Sequence, residues 1–383
     1  MTYRVPLASL ILKARFIRRP NRFLVVCDLG GKTVDAYLPN PGRLWELLFP
    51  GRILYLVRTP PDPAKSTEYT ALAVEHEGRP ILLHTHRTND VVAHLLAAKK
   101  LPGFEAASVI RREARAGASR YDFLLEKDGR EFFLEVKSCT LFGSRIAMFP
   151  DAVTERGRRH LENLALHARQ GMPGGVVFVV HSPRIDTFMP DYHTDYRFAR
   201  ALLEVRNDLL VKAVSVEWRE DLSLGPRIRD VEIPWDLIAR QAQDRGSYLL
   251  VLEVAQSRRI DVGGLGKVTF PKGYYVYADS ARVNLTKRVE RHLRRRKQFH
   301  WHIDFLRDRA DSCTALPVRS SDDLEHDLAE ALGQIADWCI PRFGSSDCRC
   351  PTHLFGFKEN PVRTPRFIEL LLKFRIDRLE AMI

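Results

Sequence analysis

The chain has 383 residues, of which 45% are hydrophobic and 28% charged, an ordinary composition for a globular protein of two or three domains. No apolar stretch reaches the length of a membrane span, and the first residues lack the apolar region of a secretory signal, so we expect no membrane partner. Six cysteines in a chain of this length do not make a disulfide framework, which favours a cytoplasmic location. The formal charge of +12 favours an anionic partner, above all nucleic acid.

Residues 1–82 contain several short β-type runs separated by turn residues, a pattern typical of a small barrel of the OB type. A basic segment near the start of this domain contains Arg15, Arg18, Arg19 and Arg22. In one interpretation these arginines contact phosphate while Phe16 and Phe23 stack on bases. In the other, both rings belong to the barrel core and the arginines form a solvated edge.

Residues 121–137 carry the strongest local pattern, two β-type runs that flank the turn dipeptide Asp128-Gly129. This dipeptide between apolar runs predicts a β-hairpin, because both central residues of its turn need a positive φ. If these two residues form the loop, counting outward along both strands sets Asp122 opposite Glu135.

Side chains alternate along a strand, so Glu135 and Lys137 are expected to share one face. Two carboxylates in cross-strand contact repel unless a cation lies between them, and Mg²⁺ prefers carboxylate oxygens. We therefore predict that Asp122 and Glu135 hold Mg²⁺ or Mn²⁺ and that Lys137 holds or activates a water. The alternative is a salt-bridged strand end that faces solvent.

Residues 151–170 predict a helix on which Arg156 and His160, four apart, share a face. These two side chains are candidates for phosphate contact, and a solvated basic face is the alternative. The apolar run 175–180 predicts a buried strand, so residues 83–232 fit an α/β sandwich.

A boundary follows at residues 233–244, where the sequence predicts a short helical linker. Residues 245–358 form a second predicted α/β domain, with strands over 246–254 and 273–281 and a basic helix after them. Residues 359–383 contain a predicted amphipathic C-terminal helix.

The first 230 residues resemble the sugar fermentation stimulation protein A family. The strings that carry the resemblance are Leu38-Pro-Asn-Pro-Gly-Arg, Ser119-Arg-Tyr-Asp-Phe-Leu-Leu, Leu134-Glu-Val-Lys-Ser-Cys-Thr-Leu and Phe149-Pro-Asp-Ala-Val-Thr-Glu-Arg. The resemblance implies an OB-like barrel, a PD-(D/E)xK-type nuclease domain, and DNA binding without sequence specificity in the regulation of sugar metabolism. Family members have His-x-Pro-Asn-Thr-Gly where this chain has Tyr37-Leu-Pro-Asn-Pro-Gly.

The pattern Asp-x(12)-Glu-x-Lys at Asp122, Glu135 and Lys137 resembles the catalytic core of PD-(D/E)xK nucleases, which use a divalent metal to direct water at a phosphodiester. Many nucleases of this fold take a further acid from the preceding helix. Residues 91–104 contain none, and Glu113 is the nearby substitute.

The C-terminal domain resembles the GIY-YIG nuclease superfamily, through Gly-x-Tyr248 and Asn284-Leu-x-x-Arg288, and an uncharacterised branch of it through the strings that begin at Trp301 and Phe343. The resemblance implies that Tyr248 and Tyr277 transfer protons and that Arg288 stabilises the transition state. It also implies a metal-binding glutamate, for which Glu325 and Glu330 are both available. The alternative for the tyrosines is a buried core. Tyr277-Ala-Asp replaces Tyr-Ile-Gly, so Asp279 is expected to put a side chain where a turn needs none.

Two smaller patterns remain. Arg291, Arg294 and Arg295 in the basic helix are candidates for phosphate contact. The string Cys348-Arg-Cys-Pro-Thr-His353 invites comparison with zinc sites, with His300 and His302 upstream as further ligands. Its spacing differs from that of common zinc fingers, and cysteines are often simply buried, so we do not predict zinc.

The predicted protein is of the α/β (α+β) class, with an OB-like barrel, a PD-(D/E)xK-like domain and a GIY-YIG-like domain. The predicted function is that of a DNA-binding, metal-dependent endonuclease or exonuclease. The alternative is a DNA-binding regulatory protein without catalysis, built on nuclease-derived folds. The form of the nucleic acid and the oligomeric state stay open.

Overall fold

The computed structural model describes residue 3 and residues 10–59, 67–117, 119–346 and 348–383. The described residues form two compact units, the first within 1–191 and 197–235 and the second within 192–196 and 236–383. The N-terminal stretch considered above for a secretory signal lies mostly outside the described residues. Among the helices that the structure describes, none is both long enough and apolar enough to cross a membrane.

The first unit begins with a β-barrel. Its strands are β1 (Leu12–Asn21), β2 (Leu24–Leu29), β3 (Lys32–Tyr37), β4 (Ile53–Arg58), β5 (Tyr69–His76) and β6 (Arg79–Leu82). They pair in the order β3-β2-β1-β4-β5-β6, and a parallel pairing of Ala36 with Tyr69 between β3 and β5 closes five of them into a barrel. Phe16, Val25 and Leu54 are among its buried apolar side chains. The predicted OB-like barrel is therefore confirmed.

The rest of the first unit is a mixed sheet with helices on both faces. Its main elements are α1 (Thr85–Ala97), β7 (Ser108–Ala116), β8 (Ser119–Lys127), β9 (Arg130–Cys139), β10 (Leu141–Phe142), β11 (Ile146–Phe149), α2 (Glu155–Arg169), β12 (Gly174–Val180), β13 (Thr187–Pro190), α3 (Tyr196–Val205), β14 (Leu210–Trp218) and β15 (Leu224–Val231). The six-stranded sheet has the order β15-β14-β12-β9-β8-β7, and β10, β11 and β13 form a small second sheet.

The centre of the larger sheet is parallel, because β12 pairs in parallel with both β9 and β14. Every residue of β12 is buried, as expected of a parallel strand that is covered on both faces. One face packs on α1 and the other on α2, so the sheet separates two apolar clusters. α2 begins at Glu155, four residues later than predicted, because the Thr154 hydroxyl caps it by accepting from the Gly157 N–H at 3.1 Å.

The second unit contains an antiparallel sheet of order β20-β16-β19-β22-β21. Its elements are α4 (Trp235–Gln241), which begins at the boundary, β16 (Gly246–Val254), β17 (Arg258–Asp261), a 3-10 helix (Gly263–Leu265), β18 (Lys267–Phe270), β19 (Gly273–Ala281), α5 (Leu285–Leu293), α6 (His302–Arg309), β20 (Ser312–Arg319), α7 (Glu325–Ile335), β21 (Trp338–Cys339), β22 (Leu354–Phe357), a 3-10 helix (Pro361–Arg363), α8 (Pro365–Arg375) and a last 3-10 helix (Asp377–Met382).

Two sequence expectations for this unit need correction. The basic helix ends at Leu293, so the arginines that follow it are not on a helix face. Asp279 lies inside β19, opposite Tyr248 of β16, and not in a turn. The missing glycine therefore causes no backbone strain at that position.

Candidate functional site

The predicted hairpin joins β8 to β9. Both turn residues have a positive φ, 52° at Asp128 and 75° at Gly129, as this turn requires. The ladder continues to Phe123 opposite Leu134. The next residues on the two strands are the predicted carboxylates, which the ladder sets side by side at its end.

The alternation of side chains along β9 directs the charged residues to one face. Leu134 and Val136 belong to the apolar cluster under α1, whereas Phe133 belongs to the cluster under α2. Glu135 and Lys137 have the same parity as Phe133 and therefore face α2. Glu135 is only 5% exposed, so the site is not a solvent-facing strand end.

Asp122 is held by two uncharged donors. Its Oδ1 accepts from Asn89 Nδ2 at 2.6 Å, and its Oδ2 accepts from the Val136 N–H at 2.7 Å. Burial, followed by the negative charge of Glu135, raises the pKa of Asp122 above its ordinary value. Asp122 is thus a carboxylate that a nearby cation would stabilise.

Glu135 is held by two basic side chains. Its Oε1 accepts from Lys137 Nζ at 2.6 Å and from His160 Nδ1 at 2.8 Å. Burial acts to raise the pKa of Glu135, but the charge of Lys137 and the hydrogen bonds from His160 and Lys137 outweigh it, so the pKa lies below its ordinary value. The other ring nitrogen of His160, Nε2, lies 3.4 Å from Arg156 Nε, so the predicted helix pair reaches Glu135 through His160.

Asn89, Asp122, Glu135 and Lys137 line a cavity of about 550 Å³. Arg22 and Arg156 lie at its wall together with Asn40 and Asp151. Asp151 Oδ2 accepts from the Leu44 N–H at 3.0 Å, and burial raises the pKa of Asp151 above its ordinary value. The cavity therefore combines buried and half-buried carboxylates with arginines that can meet an anionic ligand.

Sequence reasoning missed Asn89. The expectation of an acid on the preceding helix covered residues from 91 onward, but α1 begins at Thr85 and its one acidic residue is Asp90. Asp90 is bound by Arg87 at 3.3 Å and Arg112 at 2.8 Å and does not line the cavity. The helix thus reaches Asp122 with an amide and not with a carboxylate. Counting turns of four residues from Thr85, where the helix begins, would have placed Asn89 on the same face as Thr85.

Glu113, the other candidate for a further acid, is exposed on β7, with Arg120 at 3.6 Å. It does not line the cavity.

The four arginines in the basic segment of the barrel differ in their surroundings. Arg15, Arg18 and Arg22 are exposed. The Arg19 guanidinium instead donates to the carbonyl oxygens of Arg22, Asn40, Gly42 and Arg43 at 2.6–2.9 Å. Arg19 therefore holds the 40–43 loop, which forms part of the cavity wall.

The two phenylalanines of this segment also differ. Phe16 is buried in the barrel core, whereas Phe23 is 48% exposed and stacks on Tyr37 with ring centroids 6.4 Å apart. Phe16 therefore belongs to the barrel core, whereas stacking of the exposed Phe23 on bases stays a prediction.

In the second unit, Tyr248, Asp279 and Arg288 converge. The buried Tyr248 hydroxyl donates to Asp279 Oδ2 at 2.5 Å, and Arg288 lies 3.1 Å from Asp279 and 3.2 Å from the Tyr248 hydroxyl. Burial and the charge of Asp279 raise the pKa of Tyr248 well above its ordinary value. Tyr248 is therefore a neutral phenol whose proton is held by Asp279.

Of the other predicted catalytic and metal-binding residues of this domain, Tyr277 lies in the same sheet and both glutamates lie on α7. Tyr277 is buried on β19, with its ring 6.1 Å from that of Phe343. Glu325 is half-buried and accepts from the Ser280 hydroxyl, whereas Glu330 is exposed. Of the two glutamates, Glu325 is the one that adjoins the strand of Asp279.

The basic run that begins in α5 is partly neutralised by Asp304, a buried carboxylate. Arg291 lies 2.9 Å and Lys297 2.7 Å from its oxygens. Burial acts to raise the pKa of Asp304, but the hydrogen bonds with His292, Arg291 and Lys297 outweigh it and hold the pKa far below its ordinary value. Arg295 donates to the Ala310 carbonyl at 2.7 Å. Arg294 is exposed, so the phosphate-contact hypothesis applies best to it.

Three family descriptions match parts of this chain. Residues 17–83 match the SfsA N-terminal OB domain, and residues 86–221 match the sugar fermentation stimulation protein RE domain. Residues 247–375 match a domain of unknown function, DUF123. These matches cover the same parts of the chain as the two resemblances inferred from the sequence.

Curated relatives match just over half of the chain. A sugar fermentation stimulation protein homolog of Chloroflexus aurantiacus is 41% identical over 206 residues, 53% of this chain and 79% of that protein. The homolog of Shouchella clausii is 38% identical over 224 residues, 57% of this chain and 96% of that protein. A solved structure of Pyrococcus furiosus SfsA in complex with Ca²⁺ is 30% identical, with a TM-score of 0.55, and covers 60% of this chain and 99% of that one.

Proposed function

The chain belongs to the sugar fermentation stimulation protein family, and from this membership we propose that its first unit is a divalent-metal-dependent nuclease acting on DNA. The observation that carries the proposal is the convergence of Asp122, Glu135 and Lys137 in one cavity. These residue types in this arrangement suit phosphodiester hydrolysis, since the reaction needs a cation, a positioned water and charge stabilisation.

The donor set fits a hard divalent cation. Asp122 and Glu135 offer carboxylate oxygens, which Mg²⁺, Mn²⁺ and Ca²⁺ prefer. Burial and repulsion from Glu135 raise the pKa of Asp122, so a cation bound there would stabilise the ionised carboxylate and the folded protein. The Pyrococcus furiosus SfsA structure is a complex with Ca²⁺, which supports a divalent site in this family.

The surrounding residues would then orient the reacting groups. A divalent cation, when bound, polarises a phosphate and makes a water more acidic. His160 and Lys137 fix Glu135 from two sides, and Asn89 fixes Asp122. Lys137 lines the cavity, where its ammonium group would hold a water or a phosphate oxygen.

DNA would approach over basic surface. Arg22 and Arg156 lie at the cavity wall, and Arg15 and Arg18 are exposed on the barrel strand that leads to it. Arginines contact phosphate without reading sequence, and the exposed Phe23 offers a stacking face for an unpaired base.

A second candidate function is DNA binding without cleavage, as in a regulatory protein. It is favoured by one observation, that α1 supplies the amide of Asn89 where related nucleases supply an acid. Fewer carboxylates bind a cation more weakly, so chemistry at this site could be slow or lost while the basic surface is kept.

The experiment is nicking of supercoiled plasmid and cleavage of a labelled single strand, with Mn²⁺, Mg²⁺ or EDTA. Wild type is compared with Asp122→Asn, with Arg288→Ala in the second unit, and with Glu126→Gln. Glu126 is an exposed carboxylate on the same strand as Asp122 and does not line the cavity, so it is the matched control. DNA binding and thermal unfolding are measured on every sample.

We expect metal-dependent cleavage in wild type, Glu126→Gln and Arg288→Ala, and its loss in Asp122→Asn with DNA binding kept. Loss only in Arg288→Ala would move the chemistry to the second unit. Salt-sensitive binding with no cleavage in either metal would refute the nuclease proposal for these substrates and leave the regulatory function.

A further inference from the structure

Four side chains of the second unit, each a common zinc ligand, converge at one point. They are His326 at the start of α7 and Cys348, Cys350 and His353 in the segment before β22. One ligand atom from each residue lies within 4.8 Å of the other three. Cys348 Sγ is 3.4 Å from His353 Nε2, and Cys350 Sγ is 3.2 Å from His326 Nδ1.

The sequence pattern by itself offered only three of these ligands. Cys348-x-Cys350-x-x-His353 lacks a fourth, and the two histidines considered for that place lie elsewhere. His302 Nδ1 accepts from the Gly344 N–H at 3.1 Å, and His300 is exposed.

We propose that His326, Cys348, Cys350 and His353 bind one Zn²⁺ in a tetrahedral site. Bonds of about 2.0–2.3 Å from zinc to nitrogen and sulfur place the ligand atoms of a tetrahedral site about 3.3–3.8 Å apart. The two sulfur-to-nitrogen distances of 3.2 and 3.4 Å lie close to that range. Two thiolates with two imidazoles select zinc over the hard cations proposed for the first unit.

The surroundings of His353 suit a zinc ligand. Its Nδ1 lies 3.0 Å from Glu325 Oε1, which leaves Nε2 directed at the cysteines. A carboxylate beside the outer nitrogen of a ligating histidine is the usual arrangement, because it orients the ring and makes it a better donor. The backbone N–H of His353 also donates to the Phe343 carbonyl at 2.9 Å, so its position is set by the fold.

Four protein ligands leave no open position on zinc, so this site would be structural. It would tie the first turn of α7 to the segment before β22. Glu325 precedes the ligand His326 and contacts the ligand His353, so the metal would also hold Glu325 beside Ser280 of β19. This inference is independent of the proposed nuclease function, because its residues and its metal differ from those of the first unit.

The test measures zinc by elemental analysis in full-length protein freed of any affinity tag. Wild type is compared with Cys348→Ser, with Cys350→Ser and with the matched control Cys339→Ser. Cys339 is an exposed thiol of the same unit outside the cluster. We expect one zinc per chain in wild type and in Cys339→Ser and none in the other two variants.

Replacement of the metal by Co²⁺ in wild type gives a second measurement that needs no variant to fold. We expect the visible absorption of tetrahedral cobalt with thiolate ligands, and a lower melting temperature after chelation that added Zn²⁺ restores. A zinc content in Cys348→Ser and Cys350→Ser equal to that of Cys339→Ser would overturn the proposal. So would wild type that takes up neither metal and whose thiols react equally fast with and without Zn²⁺.

Discussion

Two lysines of the same hairpin test whether burial makes the ion pair of the candidate site important for stability. Lys137 lies 2.6 Å from Glu135, with the two side chains 15% and 6% exposed. Lys127 lies 2.7 Å from Asp128, which is 72% exposed. The two contacts have nearly the same length and differ in burial, so Lys137→Met and Lys127→Met form a matched pair.

Removing one partner of a buried ion pair costs about 3–5 kcal/mol, because the other charge stays buried without compensation. Glu135 keeps His160 at 2.8 Å, so we expect the lower end, about 3 kcal/mol, for Lys137→Met. In a unit of this size, that loss lowers the melting temperature by about 6–12 °C. The exposed pair of Lys127 contributes at most about 1 kcal/mol, so Lys127→Met should be close to wild type.

The loss should also depend on pH. In wild type the pKa of Glu135 lies below its ordinary value, so the folded state gains stability from this carboxylate above its ordinary pKa and loses that gain as the pH falls through the folded value. Without Lys137, burial should dominate and raise the pKa of Glu135, so the variant regains stability as the pH falls. The difference in stability between Lys137→Met and wild type is therefore largest near neutral pH and becomes smaller at acidic pH. The charge of Lys137 also lowers the pKa of Asp122, so its loss changes the contribution of Asp122 in the same direction as that of Glu135.

The assay is thermal unfolding followed by circular dichroism in EDTA, from neutral to mildly acidic pH. Equal losses in Lys137→Met and Lys127→Met would refute the argument, because burial would then make no difference. A loss in Lys137→Met that stays constant across the pH range would show that lost packing, and not charge, is responsible.

Two further predictions concern the first unit. Mn²⁺ at about 100 times its dissociation constant should stabilise wild type by about 2.7 kcal/mol, seen as a higher melting temperature. Asp122→Asn should be more stable than wild type in EDTA but should lose the metal effect, and an undiminished Mn²⁺ shift in this variant would place the cation elsewhere. Arg19→Ala should cost about 2–3 kcal/mol of stability, because its guanidinium holds four carbonyl oxygens. Arg18→Ala should instead leave the melting temperature unchanged and reduce the slope of log K against log salt by about 1 in DNA-binding titrations.

The hairpin shows how much local sequence can predict. Asp128 and Gly129 favour one turn type, and the turn fixes which residues of the two strands face each other. The alternation of side chains then places Glu135 and Lys137 on one face. These relations depend only on residues close in sequence, so the carboxylate pair and its lysine could be predicted from the amino-acid sequence alone.

The partners of that pair depend on distant elements. Asn89 reaches Asp122 from a helix 33 residues away, and His160 reaches Glu135 from a helix 25 residues away. Periodicity indicated a face for His160 but no partner, because only packing against the sheet decides what a helix face meets. Arg19 shows the same limit. Its sequence surroundings are as typical of phosphate contact as those of the neighbouring arginines, but its guanidinium is bound by the loop at 40–43.

The short-range features of this protein follow from its amino-acid sequence: several strands of the barrel, the hairpin with its charged face, and the strings that identify the family. Which charges are neutralised, as Arg291 is by Asp304, and which side chains meet, as His326 and Cys350 do, depends on the packing of distant elements. The difference is one of range. Backbone preferences and side-chain alternation act over a few residues, whereas a site is completed by groups that the packing of the core brings together.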